Sequence, residues 1–192
     1  MNRKEIQRMA VLAMLTAITI GFQFLGGFIK FGTFSITAVM VPLVIGAVMY
    51  GPWAGAYLGG VFGVAVFLTG DPAPFLAVNI PGTIITVMLK GILAGFAAGL
   101  IYKALEKCNR YAAGIAAAIV CPVVNTGIFL LCGCIFFLDT LKGWGAVEGY
   151  NGVVAYMFLG LVGFNFLFEL LLNVVLSPVI VRIIDIGKKK FS

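Results

Sequence analysis

The segment FGTFSITAVMVPLVIGAVMYGPWAGAYLGGVFG, from Phe31 to Gly63, contains two apolar runs that are separated by Gly51 and Pro52. Because glycine and proline interrupt helices, the pattern predicts two apolar helices, at residues 35 to 50 and 53 to 69. Both are shorter than the roughly 20 residues that a membrane-spanning helix normally needs. We therefore expect them to tilt little in a membrane or to lie partly behind neighbouring helices.

The rest of the chain continues this apolar composition. Of 192 residues, 62% are hydrophobic and 10% are charged. Apolar runs bounded by charges, glycine or proline predict four more helices, at residues 6 to 28, 82 to 104, 111 to 138 and 153 to 184. The predicted fold is an all-α membrane protein with six transmembrane helices in a single domain over residues 1–192. The first run is expected to be a retained helix, since further spans follow it.

Basic residues predict how the chain is oriented in the membrane. With the N-terminus inside, the outer side receives Lys30 and Lys142. The cytoplasmic side receives Arg3, Lys4, Arg8, Lys103, Lys107, Arg110, Arg182, Lys188, Lys189 and Lys190. The positive-inside rule then predicts cytoplasmic N- and C-termini and a multi-pass protein of the cell membrane. The net charge of +6 is accordingly interpreted as a topology signal rather than as a nucleic-acid-binding surface.

Several classes of enzyme and metalloprotein are disfavoured by the residues that the sequence lacks. The chain has no histidine, and its four cysteines form no C-x-x-C pair, so zinc, haem and His-based nucleophile sites are hard to build. It has no G-x-x-x-x-G-K-[ST] phosphate loop, so ATP dependence would have to come from a partner. We expect no enzymatic activity, no metal and no cofactor.

Two ionisable side chains, Lys90 and Glu169, fall well inside predicted helices. Intramembrane charges are costly and are therefore candidates for function. In one interpretation they pair with each other and fix helix packing. In the other, Lys90 is the counter-ion of an anionic ligand, and polar side chains including Asn125, Asn165 and Glu169 hydrogen-bond a substrate. Both interpretations can hold together.

Polar spacing supports a site near these charges. Asn165, Glu169 and Asn173 are four residues apart, so they share one helix face. Asn125 follows Pro122, which can kink its helix towards a cavity.

The loop GDPAPFLAVNIPG, at residues 70 to 82, is predicted to be an ordered or hinged cap rather than a helix. Within it, Asp71 and Asn79 either cap neighbouring helix ends or touch the ligand.

Small residues recur every fourth position in three stripes. Two of them predict close helix packing: Gly51, Gly55, Gly59 and Gly63, and then Gly91, Gly95 and Gly99. The third stripe, Ala13, Ala17 and Gly21, packs either inside the subunit or against a separate membrane partner.

Four features carry a resemblance to a known family: the size of the chain, its six predicted helices, the Ala13-x-x-x-Ala17 stripe, and the segment Phe31 to Gly63 with its Y-G-P-W-A-G turn. In these features the chain resembles the substrate-specific S components of energy-coupling factor (ECF) transporters. This prokaryotic family takes up vitamins, and the resemblance covers essentially the whole chain. It implies three partner subunits, a transmembrane scaffold and two ATPases. It also implies a binding site near the outer face and a subunit that topples in the membrane to deliver its ligand.

Within that family the chain is similar to the pantothenate-specific branch in Phe34 to Thr37 and in Lys90 followed by Gly91 and Gly95. This similarity implies that Lys90 would bind the pantothenate carboxylate. The sequence departs from the branch in having Lys where Arg is usual, and in the loop from Asp71 to Pro74. Riboflavin, folate and other vitamins therefore remain open.

The leading hypothesis is a vitamin-binding domain with Lys90 as counter-ion and with Ala13 and Ala17 facing the scaffold subunit. The hydrogen-bonding residues are predicted to be Asn79, Asn125, Asn165 and Glu169. An alternative from another class is an ion- or proton-coupled secondary transporter that uses a titratable Lys90/Glu169 pair. An inverted repeat would favour it, and the sequence shows none.

Overall fold

The computed structural model describes residues 3–26, 30–31, 34–35 and 38–191, and helices make up most of them. In chain order the elements are α1 (Arg3–Gly26), β1 (Lys30–Phe31), β2 (Phe34–Ser35), α2 (Met40–Tyr50), α3 (Pro52–Thr69), α4 (Ala73–Leu76), α5 (Ile80–Leu105), α6 (Arg110–Phe136), α7 (Leu138–Val147), α8 (Val153–Ala155), a π-helix (Tyr156–Leu161) and α9 (Gly163–Phe191). The predicted end of the first helix, and Ile36 and Thr37, lie outside the described residues.

Four helices of the described residues, α1, α3, α5 and α6, are long and apolar enough to cross a membrane. The helical segments Val153–Leu161 and Asn165–Pro178 are inclined to each other by 46°. If they are counted together as one broken span, the described residues contain a fifth span. With 11 residues, α2 is only about 16 Å long at 1.5 Å per residue, well short of a hydrocarbon core of about 30 Å. The helical membrane fold is confirmed, and the number of six spans stays a prediction.

The short helix α2 lies at the centre of the molecule. Its side chains Met40, Leu43 and Val44 are fully buried, and it packs on α1, α3, α5, α6 and α9. The short length of α2 predicted that it would lie partly behind neighbouring helices, and its buried central position agrees with this.

The predicted start of α2 at residue 35 is wrong, because the helix begins at Met40. Proline lacks an N–H and is best tolerated in the first helical turn, where Pro42 now stands. Upstream of α2, Phe34–Ser35 pairs with Lys30–Phe31 in a short antiparallel ladder.

Four helices, α1, α3, α5 and α6, begin one to three residues earlier than predicted. For α5 and α6 the reason is an asparagine that caps the helix. The Oδ1 atom of Asn79 accepts a hydrogen bond from Gly82 N (2.9 Å). The Oδ1 atom of Asn109 accepts one from Tyr111 N (2.9 Å). Each side chain thus satisfies an N–H of the first turn, which stabilises the helix start.

The last predicted helix, at 153 to 184, is not continuous. It is interrupted at Val162, whose N–H donates to the carbonyl of Met157 (3.2 Å), five residues back, as in a π-helix. A Cβ at Gly163 would collide with the carbonyl oxygen of Phe158, so the break requires a glycine there. Two further helices were not predicted: α4 within the loop at 70 to 82, and α7 after α6.

The two glycine stripes form close helix packing, as predicted, and they do so against each other. A Cβ at Gly55 would collide with the carbonyl of Gly95, and a Cβ at Gly59 with that of Gly91. Because nothing larger than hydrogen fits, the backbones of α3 and α5 touch. This close contact fixes the position of α5, which carries Lys90.

We expect Gly59→Ala to lower the free energy of unfolding by about 3 kcal/mol, because the added methyl group meets backbone that cannot move aside. Gly60→Ala is the matched control, since a Cβ there meets only Ile92, at 3.7 Å. Thermal unfolding in detergent measures both variants. Equal melting temperatures would contradict the close α3–α5 contact.

Contacts between elements define two ends of the molecule. At one end, the guanidinium of Arg8 on α1 lies 5.8 Å from the ring centroid of Tyr50 on α2. Gly99, near the end of α5, packs against Pro52 at this same end. We call it the basic end, because it also contains Lys103. At the opposite end, the last turns of α1 meet the connection between α3 and α4.

Candidate functional site

A cavity of about 860 Å³, counting its open mouth, lies at the end opposite the basic end. Its walls come from the last turns of α1 and α3, the first half of α5, the second half of α6, the α3–α4 connection and the start of α9. Small-molecule sites are typically concave and lined by apolar and aromatic side chains with a few polar groups. The lining and position of this cavity therefore make it the candidate ligand site.

Lys90 lines this cavity from α5. Its Nζ atom lies 5.6 Å from the ring centroid of Phe62 and 5.3 Å from that of Phe129. Both distances are in the range of cation–π contacts. Aromatic faces stabilise an ammonium group without neutralising it, so its charge remains available to attract an anion.

Two carboxylates share the cavity with Lys90. Both Glu169, which is 6% exposed, and Asp71 line it. Both are close enough to attract the ammonium group of Lys90. The structure thus brings both members of the predicted pair into the candidate ligand site, where a packing role and a binding role can coexist.

Two asparagine amides also line the cavity. Asn125 is 7% exposed and Asn165 is partly buried. The Oδ1 atom of each is buried without a hydrogen-bond partner among the described residues. A buried polar atom left unpaired costs about 1–3 kcal/mol, so a bound molecule with N–H or O–H donors would be stabilised here.

Threonine hydroxyls of α5 add further acceptors. Thr83 donates to the carbonyl of Asn79 (2.7 Å), and Thr86 donates to that of Gly82 (2.7 Å). Both threonines line the cavity. Since each hydroxyl proton is used within the helix, the oxygens offer lone pairs to a ligand.

One wall of the cavity is an aromatic cluster built around α4. Phe75 is 4% exposed. Its ring centroid lies 5.8 Å from Phe129, 5.1 Å from Phe137 and 5.3 Å from Trp144, in edge-to-face geometry. Such pairs stabilise beyond simple burial, so the connection between α3 and α5 is packed firmly beside the cavity.

The structure brings together four of the five predicted ligand-binding side chains, namely Lys90, Asn125, Asn165 and Glu169. Asn79 instead caps α5 and is not among the residues that line the cavity. Its predicted contact with a ligand therefore stays a prediction that the ligand-free geometry does not favour.

Gln23, which was not among the predicted site residues, lines the cavity from α1 and is 2% exposed. Its signal in the sequence is a polar side chain within an apolar helix, one turn after Thr19. This signal is weaker than the regular small-residue stripe on the opposite face of α1.

The small-residue stripe of α1 lies on an exposed face. Ala13 and Ala17 are both exposed, and a Cβ at Gly21 would meet nothing within 4 Å. The exposed neighbours on this face include Met14 and Ile18. No described part of the chain therefore covers the stripe, in contrast to the glycine stripes of α3 and α5.

Known proteins match this chain over nearly its whole length. The family "ECF transporter, substrate-specific component" matches residues 7–181. The pantothenic acid transporter PanT of Lactococcus lactis subsp. cremoris is 28% identical, and the alignment covers 94% of this chain and 95% of that protein. The solved structure of ThiT from Listeria monocytogenes has a similar fold, with a TM-score of 0.64 at 21% identity, covering 98% of this chain and 99% of that one. Because the family match includes most of the chain, the protein belongs to the substrate-specific components of ECF transporters.

Proposed function

We propose that this chain captures pantothenate, or a closely related vitamin that bears a carboxylate, for ATP-driven uptake. The observation that carries the proposal is Lys90, a cation held between two aromatic rings in the wall of the cavity. The relative named as a pantothenic acid transporter supports the same substrate.

The chemistry of pantothenate suits the lining of the cavity. The molecule has a carboxylate at one end, hydroxyl groups at the other, an amide between them and a pair of methyl groups. Lys90 would bind the carboxylate. The amides of Asn125 and Asn165 and the hydroxyls of Thr83 and Thr86 would meet its polar groups, and the aromatic wall would pack against its methyl groups.

The charge balance of the cavity is part of this proposal, because two carboxylates face one ammonium group. The Oδ2 atom of Asp71 accepts a hydrogen bond from Gln23 (2.8 Å) and lies within hydrogen-bond distance of the Thr69 hydroxyl (3.2 Å), so its charge is partly spread. Glu169, which also lines the cavity, then competes with the ligand for Lys90. Binding of an anion requires that the ligand carboxylate compete successfully with Glu169 for the ammonium group.

We expect Glu169→Gln to tighten pantothenate binding several-fold, because it removes the competing negative charge and keeps the size and shape of the side chain. Isothermal titration calorimetry on the detergent-purified chain measures the change in Kd. Thr19→Val, a buried substitution of similar shape outside the cavity, controls for altered packing. Weaker binding by Glu169→Gln would instead mean that Glu169 itself contacts the ligand.

The proposed orientation has six membrane crossings and both termini in the cytoplasm. In support, Arg8 and Lys103 lie at the end opposite the cavity, and the positive-inside rule assigns such residues to the cytoplasm. The cavity would then open to the outside of a prokaryotic cell, where a vitamin is captured. As the central helix of the molecule, α2 would cross within the protein rather than against lipid.

The proposed partners are the ECF scaffold subunit and two ATPase subunits. The chain itself lacks a phosphate loop, so the ATPases would supply the energy, and we propose that the chain is not an enzyme. The exposed stripe of Ala13 and Ala17 is the proposed docking face for the scaffold.

Mass spectrometry of small molecules released from the detergent-purified chain, followed by a thermal-shift screen against vitamins, tests the substrate. We expect release of pantothenate and a higher melting temperature in its presence. If a different vitamin raises the melting temperature, that vitamin is the substrate instead of pantothenate. If no vitamin is released and none stabilises the chain, the proposal is wrong.

A further inference from the structure

Gln23 is the one side chain of α1 that lines the cavity, and its amide is held in a defined orientation. Its Nε2 atom donates to Asp71 Oδ2 (2.8 Å) and to Thr69 Oγ1 (3.2 Å). The hydroxyl of Thr69 can itself donate to the carbonyl of Val66 (3.0 Å) or to Asp71. Its oxygen is therefore free to accept from Gln23.

The amide of Gln23 cannot be turned over without a large cost. Rotation by 180° would place Oε1 against the carboxylate of Asp71, acceptor against acceptor, at the position where Nε2 now donates. Oxygen and nitrogen of an amide are ordinarily assigned from the hydrogen bonds around them, and here these bonds allow one assignment. Gln23 therefore presents Oε1, an acceptor, on its other side.

That acceptor has nothing to bind in the described part of the chain. The Oε1 atom of Gln23 is buried without a hydrogen-bond partner among those residues, although the side chain lines the cavity. The amides of Asn125 and Asn165 differ, since no hydrogen bond of the described residues fixes which way they point. Gln23 is thus the cavity amide whose chemical preference is determined before a ligand arrives.

We propose that Gln23 is a substrate-contacting residue, whose Oε1 atom accepts a hydrogen bond from a hydroxyl or N–H group of the bound ligand. Asp71 and Thr69 act as positioning residues, because they hold the amide in the accepting orientation. The inference rests on the proposed function only in that the cavity binds pantothenate. It gives α1 a ligand contact on one face, while the small-residue stripe occupies another.

Gln23→Met tests the contact, since methionine has a similar length and no acceptor of comparable strength. We expect pantothenate to bind this variant about tenfold more weakly than the wild type, as for the loss of one hydrogen bond to a buried group. Titration calorimetry on the detergent-purified full chain gives Kd. The matched control is Thr19→Val, one turn earlier on the same buried face and outside the cavity, which should bind normally.

A set of ligand analogues separates a direct contact from a structural effect. The set contains pantothenate analogues that each lack one hydroxyl, and an ester that lacks the amide N–H. The analogue that lacks the group bound by Gln23 should bind the wild type about tenfold more weakly than pantothenate does. The affinity of that analogue should fall little further when Gln23 is replaced by methionine. If Gln23→Met weakens every compound by the same factor, the side chain has a structural role and the inference is wrong.

The remaining outcomes are also distinguishable. If Gln23→Met binds pantothenate like the wild type while Lys90→Gln does not, the inference fails and the proposed function stands. If the wild type itself does not bind pantothenate, the proposed function fails and the inference falls with it. If Gln23→Met does not fold, Gln23→Asn serves the same test, because its shorter amide cannot reach both the ligand and Asp71.

Discussion

Replacing Lys90 by glutamine should weaken pantothenate binding about a hundredfold, since loss of one partner of a buried charge pair costs about 2–5 kcal/mol. Lys90 is the one cationic side chain among the described residues that line the cavity. The ligand carboxylate would therefore be left without a counter-ion. The affinity for a neutral ligand should fall little in the same variant. Titration calorimetry with pantothenate and with its uncharged alcohol analogue measures both effects.

Lys103→Gln is the control, because it makes the same substitution on the same helix at an exposed position of the basic end. It should leave Kd unchanged. If Lys90→Gln also left Kd unchanged but lowered the melting temperature, Lys90 would serve helix packing through Glu169. The proposal of an anionic substrate would then lose the observation that carries it.

The parts of the site that could be predicted from sequence depend on local spacing and on the cost of buried charge. Asn165 and Glu169 are four residues apart, which places them on one face of any helix. A lysine deep in an apolar run requires a polar environment. The position of Lys90 therefore predicted the same candidate ligand site independently. The glycine stripes of α3 and α5 likewise predicted close helix packing, which the structure confirms, although which helices would meet was not predicted.

The parts that could not be predicted depend on how distant segments meet. Gln23 reaches the cavity only because α1 packs beside the connection after α3, 48 residues later in the chain. The break at Val162 leaves the apolar composition of the segment unchanged, so hydropathy could not reveal it. The end of α6 and the start of α7 form one apolar run. The break between them falls at Phe137, whose ring packs against Phe75 of the distant helix α4.

Replacing both Ala13 and Ala17 by tryptophan should abolish vitamin uptake by the assembled transporter and leave pantothenate binding by the isolated chain unchanged. Both positions are exposed on α1. A stripe of small residues lets two helices approach closely, and a bulky indole prevents that approach. Uptake of labelled pantothenate into proteoliposomes containing all subunits measures transport, and calorimetry on the isolated chain measures binding.

Ile119→Trp controls for the mere addition of an indole to a lipid-facing surface, because Ile119 is exposed on α6, and it should preserve both uptake and binding. If the double variant bound no pantothenate, the stripe would be needed inside the subunit, against the exposure of both alanines. If it transported normally, the scaffold would have to dock on another face. Loss of uptake with intact binding is the result that only a docking role explains, since the cavity and the stripe lie on different faces of α1.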